Sequence, residues 1–287
     1  MPKFIFAADV HLRKSVPKCR KETEDEWFMQ QWKQLNFIVE KAIEYGCDVL
    51  LGGDTFHTSI VQDEIKNMFI NAFSTIKVSG IAGQHDLPEH SWRNLNKSSY
   101  GVLKNTDVLP SPSICSYCHF GTDIVTVNDE IMLVHELVFE NAQKIPPNVR
   151  AKTAEQMLDE YPKAKWILCG DQHHGFYYQK GKRHVIMAGC MNRQAADFID
   201  YEPCIWYIDT ESDEVVRILI PDDRNMISDK HIKDKDERTD RISAFVSLIK
   251  DAKAVSLDFD ENVRNGIISN PDLPKDVVNV IEELMNT

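Results

Sequence analysis

Five short blocks in this 287-residue chain carry side chains of the kind that hold divalent cations. They are Asp9-Val10-His11, Gly53-Asp54, Gly83-Gln84-His85-Asp86, His135-Glu136 and Gly170-Asp171-Gln172-His173. Carboxylates, imidazoles and an amide are the donors that two cations roughly 3.5–4 Å apart need for hydrolysing a phosphate ester, with one carboxylate shared between the ions. Taken singly, each block says little. A lone His at a strand end is more often a satisfied polar residue, and an Asp after two glycines is more often a turn residue. Together they point to a two-cation hydrolase, and because one loop rarely supplies so many donors, several strand ends must converge. His174 competes with His173 for the last position by a one-residue shift; spacing from Gly170 favours His173.

The sequence between the blocks supplies those strand ends. Lys3–Ala8 reads as a buried strand stopping at Asp9. A polar loop over 12–21 follows, then a helix from Glu22 to Tyr45 with Phe28, Trp32, Leu35, Ile38, Val39, Ala42 and Ile43 at helical spacing, ended by Gly46. Cys47–Leu51 is a second strand, Val61–Phe73 a second helix and Lys77–Ala82 a third strand. This repetition predicts an α/β sheet with a site at its carboxyl ends. Further on, Thr122–Val127 and Glu130–Val134 flank Asn128-Asp129 as a hairpin. Thr153–Tyr161 reads as a helix and Lys165–Cys169 as a strand. Two more hairpins pair Phe176–Gln179 with His184–Ala188 and Ile205–Asp209 with Val215–Ile220. Two mixed sheets packed face to face, with helices outside, are expected. Beyond Pro221 the pattern turns helical, over Asn225–Lys253 and Lys275–Met285, with a break at Asn270–Pro274.

Composition narrows the partners. With 43% hydrophobic and 27% charged residues the chain is globular, and no run approaches the ~18 apolar residues of a membrane span. The apolar run before Asp9 is too short for a signal-peptide core, so a cytoplasmic location without membrane contact is expected. A net charge of −12 argues against coating nucleic acid through bulk electrostatics but permits a local grip. Seven cysteines, an odd number, suit reduced thiols. Cys115-Ser116-Tyr117-Cys118-His119 matches the haem-attachment pattern, yet it reads better as a strand or loop with two small buried thiols. No Gly-x-x-x-x-Gly-Lys-Ser/Thr loop occurs, so the chain is not expected to be an ATPase itself.

In order and spacing, the five blocks resemble the calcineurin-like metallophosphoesterase superfamily, whose pattern runs Asp-x-His, Gly-Asp, Gly-Asn-His-Asp, a mid-chain His and Gly-His-x-His. The resemblance covers roughly residues 3–220. It implies an α/β four-layer αββα sandwich with two mixed β-sheets, here followed by a short C-terminal helical segment; the expected division is 1–221 and 222–287. Gly52-Gly53-Asp54-Thr55-Phe56-His57 and Ala188-Gly189-Cys190-Met191-Asn192-Arg193 further resemble the SbcD-like DNA nucleases, including phage counterparts, with Cys190 where that branch has Ser.

Carried over residue by residue, the resemblance implies that Asp9, His11 and His173 bind one cation, that Asp54 bridges and that His135 binds the second. His85 is then the transition-state or leaving-group residue, with Asp86 and His57 beside it. Two positions depart from the pattern: Gln84 stands in place of Asn, and Asp171 in place of His. Gln84 keeps the amide oxygen on a longer side chain; with Asp171 as a ligand the set has three carboxylates, and more oxygen donors favour Mn²⁺ or Mg²⁺ over Zn²⁺. Arg13, Lys14, Arg20, Lys182 and Arg183 follow ligand blocks and are candidate DNA contacts, although a solvated loop would look the same. SbcD-like nucleases act on DNA with a separate SMC-type ATPase (the SbcC-like subunit). The resemblance therefore implies that partner, allows a homodimer, and makes the segment beyond 221 a candidate docking piece. A phosphatase or small phosphodiesterase of the same fold, and a non-catalytic scaffold, are the alternatives.

Overall fold

Strand β1, Lys3–Ala7, explains the layering by its alternation. Phe4 and Phe6 turn to one side and pack with Leu50, Leu133, Trp166, Leu168, Ile186 and Trp206. Ile5 and Ala7 turn to the other, against Leu35, Ile38, Ile65 and Phe69. A strand that is apolar on both faces has to be covered on both. Each fully buried Phe or Leu contributes about 1.5–3 kcal/mol.

The computed structural model describes residues 2–228, 241–242 and 259–285. The chain divides into two compact units, 1–228 and 229–287. In the first, β1 is followed by α1 (Glu24–Tyr45), β2 (Asp48–Leu51), α2 (Asp63–Ala72), β3 (Val78–Gly80) and α3 (Ser99–Asn105). Then come β4 (Ser116–Cys118), β5 (Ile131–His135), the short strands β6 (Val138–Phe139) and β7 (Lys152–Thr153), α4 (Ala154–Glu160) and β8 (Trp166–Gly170). Strands β9 (Phe176–Lys180), β10 (Arg183–Met187), β11 (Cys204–Asp209) and β12 (Glu214–Leu219) complete it.

One five-stranded sheet has the order β12-β11-β1-β2-β3 and the other β4-β5-β8-β10-β9. Their inner faces share the Phe4–Trp166 core. Helices α1 and α2 cover the outer face of the first sheet. Met157 and Leu158 of α4 cover the outer face of the second, against Met132, Val134, Ile167 and Val185. This is the expected four-layer sandwich of two mixed sheets. Helix α1 starts at a capping box, in which Thr23 Oγ1 accepts from Glu26 N and Glu26 Oε2 accepts from Thr23 N. It ends at Gly46, whose φ of 58° a residue with Cβ rarely adopts.

Strands β1, β2 and β3 are mutually parallel, as are β5, β8 and β10, so within each sheet the ligand-bearing ends emerge on one edge. The hairpins β9–β10 and β11–β12 form as expected. The predicted hairpin 122–127 with 130–134 does not. Instead Ser116–Cys118 lies parallel to β5, and 122–127 contributes only the bridge between Val125 and Tyr117. Three residues are too short a run to show period-two alternation, so the sequence reads 115–119 only as a strand or loop.

The expected helix 225–253 lies mostly outside the described residues, and its start is a 3-10 turn, Arg224–Met226. In the second unit, α5 (Phe259–Ile268) and α6 (Lys275–Met285) are separated by a turn at 270–274, where Leu273 N donates to Asn270 O.

Candidate metal centre

Asp9, His11, Asp54 and Asp171 all have positive φ, at 51°, 49°, 50° and 94°. Each follows a strand that would otherwise carry its side chain past the edge, and the left-handed residue turns it back over the sheet ends. Such backbone is uncommon outside glycine and gathers where function holds it in place. Backbone bonds lace the turns together: Asp9 N donates to Gly53 O at 3.0 Å and His11 N to Asp54 O at 2.9 Å. Asp171 N donates to Asp9 Oδ2 at 3.0 Å. Two glycines make room. A Cβ on Gly53 would lie 2.4 Å from His135 Nδ1, and one on Gly83 would lie 2.1 Å from Asp54 Oδ1.

Two groups of donors result, Asp9 with His11 and His173, and Asp9 with Asp54 and His135. Within each, the ligand atoms lie within 4.8 Å of one another. Asp54 Oδ2 is 3.8 Å from His11 Nε2 and 3.4 Å from His135 Nε2. Asp9 Oδ1 is 3.8 Å from the Nε2 atoms of both His11 and His173. Both carboxylates thus reach across the two groups, where the sequence pattern named Asp54 alone as the bridge.

The donor chemistry fits divalent cations. Asp54 Oδ2, His135 Nε2 and Gln84 Oε1 are buried without a hydrogen-bond partner among the described residues. Leaving such atoms unpaired costs on the order of 1–3 kcal/mol each unless something binds them. His135 Nδ1 donates to Gly52 O at 2.7 Å, which turns Nε2 inward as a ligand nitrogen.

Electrostatics agree. Burial raises the Asp9 carboxyl well above its usual range. Burial also pushes Asp54 up, but His135, His11 and His85 more than reverse this and hold it far below the ordinary value. At His135 burial opposes protonation, yet Asp54, Asp9 and Asp171 lift its pKa to about 10. A pocket that draws a proton onto a fully buried imidazole is one that attracts cations. Burial depresses His11 and His173, keeping them neutral and able to ligate.

Gln84 Nε2 donates to Asp171 Oδ1 at 2.5 Å, and that oxygen is 3.9 Å from His135 Nε2. His85 N donates to Asp54 Oδ1 at 2.8 Å, and its ring lies 5.1 Å from that of His11. His57 stacks on His85 at 5.8 Å, and its Nε2 accepts from Arg13 Nη1 at 2.8 Å. Burial, Arg13 and His85 lower the His57 pKa to about 4. Arg13 is held from behind by buried Gln31 of α1, which accepts from Arg13 N and donates to Arg13 O.

Asp86 does not face the cleft. It is fully buried and accepts from the backbone N–H groups of Thr55, Phe56 and Gly83, tying the second and third blocks together, so it is a positioning residue. His90 was not singled out by the sequence because no strand end marks it. Its Nδ1 pairs with Gln84 O at 3.1 Å, and its ring is 6.1 Å from His85.

Three expected DNA contacts are placed elsewhere. Arg20 is buried in ion pairs with Glu22 and Asp222, beneath Trp27. The Arg183 guanidinium donates to the carbonyls of Leu158, Tyr161 and Ala164 and closes the α4–β8 connection. It and the exposed Lys182 sit at the amino edge of the second sheet, because His184 pairs with Trp166 at the start of β8 while the ligands follow its end. Lys14, half exposed, pairs with Glu64. The haem-like motif is spent on packing: Cys118 Sγ donates to Thr122 O, and His119 Nδ1 accepts from Ala82 N. No described helix is long and apolar enough to cross a membrane.

No curated protein matches the chain in sequence. Among solved structures, an archaeal phosphodiesterase is similar at 15% identity and a TM-score of 0.43, over 76% of this chain and 99% of that one. A hypothetical protein from Pyrococcus horikoshii OT3 is similar at 14% identity and a TM-score of 0.45, over 82% and 94%. Scores this low say nothing about substrate. The sequence profile described as calcineurin-like phosphoesterase matches residues 2–175, a span that holds all five donor blocks. With the donors converging as that pattern requires, the chain belongs to the calcineurin-like phosphoesterase family.

Proposed function

We propose that the chain is a two-cation DNA nuclease of the SbcD-like branch, using Mn²⁺ and working beside an SMC-type ATPase in recombination, repair or replication. The observation that carries the phosphodiester reading is a pair of separate cavities, one reaching the donors at His173 and one bordered by His57, whose ring is 5.6 Å from that of His11. The cavity at His57, of about 240 Å³, is also lined by Arg13 and Lys14. The cavity at His173, of about 610 Å³, is also lined by Asp171. A diester carries a substituent on each side of phosphorus, whereas a monoester needs room on one side only.

Asp9, Asp54, His11, His135 and His173, with Asp171 and Gln84 Oε1, would hold the cations. Bound there, divalent ions neutralise charge and activate water for in-line attack on phosphorus. The oxygen-rich donor set favours Mn²⁺ over Zn²⁺. His85 stands where a departing sugar oxygen can take a proton. Arg13 has no carboxylate partner among the described residues, and it offers its guanidinium to a phosphate oxygen.

The test compares Mn²⁺-dependent hydrolysis of duplex DNA, bis(4-nitrophenyl) phosphate and 4-nitrophenyl phosphate. Cleavage of DNA and the diester supports the nuclease. Turnover of the monoester alone supports a phosphatase, and no turnover supports a scaffold. Loss of ATPase capture on removing 229–287 would support docking through that segment.

A further inference from the structure

The larger of the two cavities has walls of a chemistry the cation centre does not need. Phe198 stacks on His174 with ring centroids 4.5 Å apart and planes at 23°, and it lies 5.8 Å from the ring of His173. Leu137, Phe139, Lys144 and Pro146 also line it. The platform is held before any ligand arrives. Tyr201 meets His174 edge-on at 5.4 Å, its hydroxyl donates to Cys190 O at 3.1 Å, and its N–H donates to Phe198 O at 3.0 Å. At the floor, Gln172 accepts from His174 N through Oε1, and its Nε2 has no partner among the described residues.

The cavity shares His173 with one donor group, and Asp171, also in its lining, donates its backbone N–H to Asp9, so a ligand seated there lies beside the cation centre. We propose that this cavity is a nucleobase subsite, in which the base next to the scissile phosphate stacks on the Phe198–His174 platform and Gln172 Nε2 donates to an acceptor on its edge. An aromatic platform, apolar Leu137, Phe139 and Pro146, polar groups from Gln172 and Lys144, and a volume of about 610 Å³ suit a nucleoside. Stacking of this kind is tolerant of sequence, because every base presents a π-face. The inference rests on the phosphodiester reading above and narrows its substrate to nucleotides.

The test needs no turnover. 2-Aminopurine deoxyribonucleoside 5′-monophosphate is titrated into the full chain in EDTA buffer, with stacking read as fluorescence quenching. Saturable quenching is expected, with binding about 10-fold weaker in Phe198→Ala, weakened in Phe139→Ala and retained in Phe198→Tyr. Quenching that is absent in the native chain, or equal in all three variants, overturns the subsite. So does displacement of the probe by O-phosphotyrosine at lower concentration than by thymidine 5′-monophosphate, which would assign the cavity to an aromatic amino acid. With Mn²⁺, the preference in kcat/KM for thymidine 5′-(4-nitrophenyl phosphate) over methyl 4-nitrophenyl phosphate should also fall about 10-fold in Phe198→Ala. An equal loss on both esters counts against the subsite. Phe198-dependent quenching in a chain that leaves DNA intact would overturn the nuclease reading while supporting the subsite.

Discussion

Gln84 and Asp171, the two residues that depart from the family pattern, are hydrogen-bonded to each other, Nε2 to Oδ1, at 2.5 Å. The amide is thereby oriented, and its buried Oε1 is left as the donor available to a cation. The two departures form one unit and should respond as one. Asp171→Asn is expected to weaken Mn²⁺ binding at one of two sites by about 10–100-fold. The pair Gln84→Asn with Asp171→His is expected to recover more than the two single variants sum to. Calorimetric titration of metal-free protein measures both, and strict additivity would show that the two positions act separately.

His85 hydrogen-bonds Asp54 through its backbone N–H, and its ring lies beside those of His11, His57 and His90. His85→Ala should therefore retain both cation stoichiometries while losing about 10²–10⁴ in kcat on bis(4-nitrophenyl) phosphate. Hydrolysis at the native rate would remove His85 from the reaction.

Arg13 and Arg20 share one loop and should behave oppositely. Arg20→Ala strands the buried side chain of Glu22 and leaves Asp222 to Arg193 alone, and is expected to cost about 3–5 kcal/mol of stability. Arg13→Ala should leave the melting temperature within a few degrees and weaken DNA binding in a salt-dependent way. Thermal melts and binding at two ionic strengths separate the two residues.

Gly83 leaves no space for a methyl group beside Asp54 Oδ1. Gly83→Ala should displace that carboxylate, destabilise the protein by about 1–3 kcal/mol and abolish one of the two Mn²⁺ sites. Two sites of native affinity in the variant would show that the loop yields without cost.

His119 lies away from the cation centre. Burial, with a smaller contribution from Lys104, lowers its pKa to about 3. The folded state thus resists a proton that the unfolded chain accepts near 6.5. Its contribution is fully present above about pH 6.5 and is lost as the pH falls towards 3. In EDTA, His119→Gln should lose less stability than the native chain between pH 7.5 and 5, read from urea midpoints. Equal losses would contradict the assignment.

The sequence carried the donor blocks well, because each follows a parallel strand whose apolar run is plain, as in Phe4-Ile5-Phe6-Ala7 before Asp9. It also carried the sandwich, since strands such as β1 are apolar on both faces. What it could not carry was decided by distant partners. Arg20 sits in a loop with Lys18 and Lys21 and looks solvated; Trp27 and Asp222 bury it. Lys182 and Arg183 follow a ligand block in sequence, but strand β9 runs antiparallel to β10 and returns them to the far edge. The aromatic platform joins His174 to Phe198 and Tyr201, which no periodicity links.

The left-handed backbone at Asp9, Asp54 and Asp171 has an evolutionary corollary. Asparagine matches aspartate in shape and is equally at ease in that conformation. One base change per codon can therefore silence the chemistry while leaving the chain trace untouched. Descendants with dead centres would keep the silhouette of active ones, and an inventory of donor atoms, rather than overall shape, is what tells an enzyme from a pseudoenzyme in this lineage.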